Sequence, residues 1–385
     1  MYELAWLLLP MAAFGGWFAA RRGRGVPDSR PHNLPSPEFL RGLDYLLTEQ
    51  PDKAIDVFVR TLEVTADTFE THLALGNLFR KRGEVDRAIR VHRNLVARHS
   101  LNDQQRSDAL LELGRDYQRA GLFDRAEELY SELLQRKGHV AQVLPLLLDI
   151  YQQEKDWEGA IRTASRMEQV NSRPAIVVIA QFLCEMAEAA REQGDMQKAR
   201  TLLARALERH AGCVRASLLL GDIEREAGHH EAALLAYSRV DGQDMELLPE
   251  ALEPLYACHR EVGDIDGMIE YLHECIPRYN GIAPAILLTD ILAEQHRYEE
   301  AGEFLGRQLA RCPSVRGLAK FVELRLAGCH ADENKHLVML QHITDRLQKD
   351  RPGYLCRECG FAGKTLHWQC PGCKCWDTMR PTHGL

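Results

Sequence analysis

LALGNLFRKRGEVDRAIRVH (residues 73–92) and LGRDYQRAGLFDRAEELY (residues 113–130) are two copies of one pattern. In each, a glycine (Gly76, Gly114) is followed three residues later by an aromatic ring (Phe79, Tyr117). A second glycine (Gly83, Gly121) then marks a turn, and an alanine (Ala88, Ala126) opens the apolar stripe of the next segment. The pattern extends in both directions with a period near 34 residues. Gly42 and Gly221 occupy the first glycine site, and Tyr45 and Tyr151 the ring site. Ala54, Ala160, Ala199, Ala233 and Ala301 occupy the alanine site, and a bulky residue such as Phe58, Tyr130, Tyr237 or Leu272 comes four residues after it. Gly194, Gly228 and Gly263 repeat the turn glycine. Small residues where helices nearly touch, a large side chain in the adjacent gap and a turn tolerant of positive φ define a helix–turn–helix repeat. The fold class expected is all-α: a tetratricopeptide solenoid of about eight units over residues 38–313. The period stretches before Gly114 and before the unit of Gly194, and residues 314–349 read as a terminal helix pair that caps the array.

The first helix of each unit lines the concave side of such an array. Its inner stripe includes Asn77, Arg80 and Lys81 in one unit and Arg115, Gln118 and Arg119 in the next. Asp149, Gln152 and Gln153, then Asp222, Arg225 and Glu226, follow further along. The groove thus starts basic and becomes mixed or acidic. Docking of an acidic partner segment on Arg80, Lys81, Arg115 and Arg119 is one reading; an ordinary solvated helix face is the other.

Upstream, Leu4 to Ala20 runs seventeen residues without a charge, and Arg21, Arg22 and Arg24 follow directly. Residues 1–20 read as a short transmembrane anchor. The arginines on its C-terminal side place the N-terminus outside and the bulk of the chain in the cytoplasm. Ala12, Gly16 and Ala20 form a small-residue ridge on which another membrane helix could pack. Residues 21–37, with Pro27, Pro31, Pro35 and Pro37, read as an extended linker.

At the other end, residues 350–385 carry Cys356-Arg-Glu-Cys359 and Cys370-Pro-Gly-Cys373. Two C-x-x-C pairs at this separation can set four thiolates about one zinc or iron ion, and the sequence does not choose between them. Gly360 frees the backbone to turn at the first knuckle, whereas Lys374 stands at the matching place in the second. Phe361, Trp368 and Trp376 are the large apolar groups available to cover the site, and Cys375 is a spare thiol. So small a piece depends on the metal for its folding. A closed four-sulfur set leaves no open position for chemistry, which favours a structural role over electron transfer. The remaining cysteines (Cys184, Cys213, Cys258, Cys275, Cys312 and Cys329) lie far apart in the chain and read as isolated small hydrophobes of a reducing compartment.

Net charge is −8, which argues against nucleic-acid binding, and the terminal module's Arg357, Lys364, Lys374 and Arg380 add only a modest basic patch. There is no P-loop, no G-x-S-x-G, no H-E-x-x-H and no strand-borne G-x-G-x-x-G. Nothing pairs a nucleophile with a base, so a non-enzyme is expected.

The order apolar anchor, tetratricopeptide units and two C-terminal cysteine knuckles resembles the lipopolysaccharide assembly protein B family of Gram-negative bacteria. LLLPMAAFGGWFAARR (residues 7–22), the two repeat segments above and YLCRECGFAGKTLHWQCPGCKCW (residues 354–376) carry the resemblance. It implies a single-pass inner-membrane protein with a periplasmic N-terminus and a rubredoxin-like metal module packed against the repeats. It also implies an adaptor that promotes degradation of the committed-step deacetylase of lipid A by a membrane-bound ATP-dependent zinc protease, and that an inner-membrane protein antagonises. The family's metal ligands fall on Cys356, Cys359, Cys370 and Cys373. A general scaffold for lipopolysaccharide assembly enzymes is the competing reading, and an electron-transfer protein the remoter one.

Overall fold

The computed structural model describes residues 68–99, 101–171, 175–327, 335–349 and 351–382, with a few isolated positions between 40 and 57. The expected anchor (1–20) with Ala12, Gly16 and Ala20, the linker (21–37) and most of the first repeat lie outside the described residues. Among the described residues, no helix is long and apolar enough to cross a membrane. The chain forms two compact units, residues 1–120 and 121–385.

In the first unit, α1 (Phe69–Lys81) and α2 (Val85–Val96) form a helix pair, and α3 (Asp103–Arg119) follows. Asn102 caps α3 by accepting from the Gln105 amide while the Gln105 side chain accepts from the Asn102 amide. The close approach of α1 and α2 occurs at Gly76, where a Cβ would lie 2.3 Å from His92 Nε2. His92 thus fills the gap four residues after Ala88 that large apolar or aromatic side chains fill elsewhere. A fully buried imidazole needs polar partners, and α3 supplies one: Asp116, also fully buried, accepts at 2.5 Å from His92 Nδ1. Arg80 closes this network by donating to Asp116 at 2.8 Å and pairing with Glu112, which also holds Arg115 at 2.7 Å.

The second unit continues with helix pairs: α4 (Phe123–Gln135), α5 (Val140–Glu154) with α6 (Trp157–Asn171), α7 (Ile176–Glu192) with α8 (Met196–Arg209), and α9 (Val214–Glu226) with α10 (His230–Tyr237). A short α11 (Val240–Gln243) and a 3₁₀ turn (Met245–Leu247) come next, an insertion that the repeat period does not announce. Then come α12 (Leu248–Val262) with α13 (Ile265–Cys275), α14 (Ala283–Glu294) with α15 (Tyr298–Arg311), and the terminal α16 (Val315–Ala327) and α17 (Lys335–Lys349). The recurring alanines sit at the helix contacts: Ala126, Ala160, Ala199, Ala233 and Ala301 are all completely buried, as is Met268 at the same site of α13. A Cβ on Gly221 would meet the Tyr237 ring at 2.4 Å, the same packing as Gly76 on His92 but with a neutral phenol. The turn glycines adopt φ of 74° to 83°, and where the turn lacks glycine, Lys155 and His296 adopt φ of 58° and 61°.

Apolar burial concentrates in two clusters, one from α6 to α9 around Phe182 and Leu203, the other from α9 to α16 around Tyr237 and Leu272. The terminal α17 contributes little: Val338, Met339, Leu340, Ile343 and Leu347 are exposed. The module that follows is the one non-helical part among the described residues. Its antiparallel sheet has the order β2-β1-β3, with β1 Tyr354–Cys356, β2 Ala362–Gly363 and β3 Met379–Pro381.

Cys184 and Cys213, far apart in sequence, are not isolated. The α7–α9 contact brings their sulfurs to 3.9 Å with both residues fully buried. The pair remains two free thiols.

Candidate metal centre and its seat on the helices

The two knuckles are brought together by the small sheet. β1 ends at Cys356, and the amide of Cys356 donates to the Phe361 carbonyl at 2.8 Å, folding the first knuckle back. Gly360 turns with φ 75°, and Lys374 makes the equivalent turn with φ 61°, a left-handed conformation that a lysine adopts at some cost. All four sulfurs of Cys356, Cys359, Cys370 and Cys373 lie within 4.8 Å of one another. Cys356 and Cys373 are 3.8 Å apart and Cys359 and Cys370 are 3.6 Å apart. Thiolates at about 2.3 Å from a tetrahedral ion stand about 3.8 Å apart, so the donor set fits a single ion. It accepts zinc or iron. When bound, the ion ties both knuckles together. The Thr378 hydroxyl, 3.3 Å from Cys356 Sγ, together with the backbone amides of Cys359 and Glu358, pulls the Cys356 thiol down to about 6. Cys375 is exposed and outside the cluster.

The tryptophans are not arranged as the sequence suggests. Around the sulfurs the apolar packing comes from Met379, Tyr354, Phe361 and Leu366. Trp376 and Trp368 instead pack into the clusters of the helical array. The reason is space: the sheet has no interior large enough for an indole, whereas the inner face of α5 to α9 has. Trp376 is 9% exposed, its ring edge-on to Phe182 at 5.7 Å and to Trp157 at 6.2 Å. Its Nε1 donates to Gln152 Oε1 at 2.8 Å. Gln152 was placed on the groove lining by its stripe position, so this stretch of groove holds the chain's own module.

Charged residues complete the seat. Arg215 on α9 is 3% exposed, pairs with Glu185 at 2.8 Å and Glu188 at 2.5 Å, and lies 6.0 Å from the ring centres of both Trp368 and Trp376. Arg380 pairs with Asp244 at 3.0 Å, and Arg357 pairs with Glu246, both acceptors on the inserted turn after α10. The Tyr354 hydroxyl donates to Glu250 at 2.6 Å. Burial pushes the carboxyls of Glu250 and Asp377 up. Arg215, Asp244, Glu246 and Glu250 were not legible as site residues. The one hint was that two of the five tryptophans fall in residues 350–385, too many for so small a core.

The basic groove residues divide. Arg80 and Arg115 are half-buried and hold Glu112 and Asp116, while Lys81 and Arg119 are exposed.

Comparison with known proteins agrees with this architecture. Tetratricopeptide repeat models match residues 71–107, 111–174 and 184–246, and the rubredoxin metal binding domain matches residues 354–381. Lipopolysaccharide assembly protein B of Escherichia coli (strain K12) is 36% identical over 386 residues, covering 100% of this chain and 99% of that protein. The Haemophilus influenzae protein of the same name is 32% identical over 391 residues, covering 99% of this chain and 98% of its own. A tetratricopeptide repeat protein from Parabacteroides merdae, at 14% identity and TM-score 0.32 over 73% of this chain and 100% of its own, is too distant to add to this. Full-length identity at this level, with the repeats and the four-cysteine module in the same order, means that the chain belongs to the lipopolysaccharide assembly protein B family.

Proposed function

We propose that this protein is a non-catalytic adaptor of lipopolysaccharide assembly at the inner membrane, held there by residues 1–20 with the rest of the chain in the cytoplasm. In this reading it promotes proteolysis of the committed-step deacetylase of lipid A by a membrane-bound ATP-dependent protease, and an inner-membrane protein restrains it. The observation that carries the adaptor reading is the seating of the metal module: a closed four-sulfur set whose two indoles are inserted among α5 to α9. Such a module braces a recognition surface and has no open coordination position for a substrate. The family relationship supports the pathway. Holding client and protease on one scaffold makes delivery effectively intramolecular, which raises the local client concentration without new contacts. An acidic client segment would meet the exposed Lys81 and Arg119. Arg80 and Arg115 lie beside them, but reversing Arg80 would also orphan the buried His92–Asp116 pair.

The test is the half-life of the deacetylase after a translation block, in cells depleted of this protein and complemented with wild type or Cys356→Ser/Cys359→Ser. A longer half-life on depletion, restored by wild type and not by the double variant, is expected. An unchanged half-life on depletion would remove the proteolytic role and leave a general assembly scaffold.

A further inference from the structure

A cavity of about 590 Å³ lies where the metal module meets the C-terminal helices, away from the sulfur cluster. Its volume is within the range of small-molecule sites, roughly 300–1,000 Å³. The walls come from three sources: the starts of α12, α14 and α16, the end of α17, and the module around Tyr354 and Lys364. The lining carries three cations (Arg316, Arg351 and Lys364) against one carboxylate, Glu250. Glu250 already accepts from Tyr354. All three are exposed at the cavity mouth; among the described residues none has a side-chain hydrogen bond or an ion pair within contact distance, and Arg316 acts on the Glu250 carboxyl only from further away. Two other basic residues of the module are paired, Arg357 with Glu246 and Arg380 with Asp244, while Lys374 is exposed.

The repeat architecture adds to this charge. The first helices of successive pairs run in the same sense, so α12, α14 and α16 present their N-terminal ends on the same side. Pro249 and Glu250 of α12, Ile282 and Ala283 at the start of α14, and Ser314 to Arg316 at the start of α16 all border the cavity. Helix N-termini carry partial positive charge and favour anions. Prolines and the Tyr279 ring supply an apolar wall.

We propose that this cavity binds a small phosphorylated ligand, its phosphate held by Arg316, Arg351 and Lys364 and its organic part lying against the apolar wall. The proposal is independent of the client and protease named above. Since Lys364 and Tyr354 belong to the module while Arg316 belongs to the array, the ligand would join the two and strengthen the module's seat. The phosphate could come from a soluble sugar phosphate or from the headgroup of a lipid.

Calorimetric titration of the full, metal-loaded chain separates these sources, using inorganic pyrophosphate, glucose 1-phosphate and a water-soluble short-chain phosphatidic acid. Saturable binding of pyrophosphate is expected, weakened about tenfold or more in Arg316→Gln/Lys364→Gln and to a lesser degree in Arg351→Gln, with metal content unchanged in both. Tighter binding of the sugar phosphate or of the phosphatidic acid identifies the source. No saturable binding of any of the three, or affinities unchanged in both variants, overturns the proposal.

Discussion

The helix pairs and the metal module stabilise themselves in opposite ways. In the pair α9–α10, the residues that make the fold also fill its interior: Gly221 admits Tyr237, Ala233 allows the close approach, and the phenol donates to Asp222 at 2.6 Å. The module does the reverse. Its interior is little more than sulfur, one methionine and a few half-buried side chains, and its largest rings point out of it into α5 to α9. A helix pair is stabilised from within and by its neighbours. The module would be held from the centre by the ion that its four sulfurs fit, and it is held from outside by the array. Neither support is visible in its own short hydrophobic core.

If that contrast is right, the largest effect comes from removing the ion. Cys356→Ser/Cys359→Ser, or chelation, should unfold residues 350–385, because metal binding in such small sites supplies on the order of 10 kcal/mol of folding free energy. Helical circular dichroism should change little while protease cleaves the C-terminus. Simultaneous loss of the helices would show that the array has no stability of its own. The second support is probed by Trp376→Ala, which empties the space beside Phe182 and Trp157 and leaves Gln152 Oε1 with only the longer bond from Gln369 Nε2 at 3.3 Å. We expect a cost of about 3–5 kcal/mol to the seated state, with metal stoichiometry intact. Hydrogen exchange should rise in α7 and α9, and unchanged exchange there would mean that the indole does not hold the seat.

Gly221→Ala tests the other side of the comparison. A methyl group forced against the Tyr237 ring should cost about 1–3 kcal/mol by urea unfolding of the array and leave metal binding as it was. A loss of metal equal to that of the cysteine variant would show that the two parts fold as one. The smallest effect is alkaline. Burial, and next the carboxylate of Glu294 2.5 Å away, push the Tyr256 phenol from 10.0 up to about 12. Tyr354 and Tyr237 are also raised, by burial first and then by Glu250 and Asp222 respectively. A raised phenol holds its proton more tightly in the folded state. Its contribution to stability is therefore complete below about pH 10 and lost as pH rises through the folded value. Tyr256→Phe should lower stability slightly below pH 10 and make it fall less steeply between about pH 10 and 12, read by urea unfolding at several pH values. An unchanged pH dependence would mean that Tyr256 plays no part in the alkaline transition.

Glycine, alanine and ring positions returning together near every 34 residues identify the helix pairs because close helix packing restricts residue size locally, within one repeat. The C-x-x-C spacing likewise identifies the donor set, since two short knuckles are a local arrangement. The pattern could not say that His92 would occupy a ring site, because the position specifies volume while the polar partner, Asp116, arrives from another helix. Nor could it find the inserted turn at Val240–Leu247, whose Asp244 and Glu246 pair with residues more than a hundred positions away. Sequence alone therefore determined the repeat, the four-cysteine donor set and the family, all of them set by contacts between near neighbours in the chain. Only the tertiary structure decided where the tryptophans go, which groove positions the module occupies and which cations are left unpaired. Those depend on which distant surfaces meet, and a linear pattern of sizes and charges does not encode that meeting.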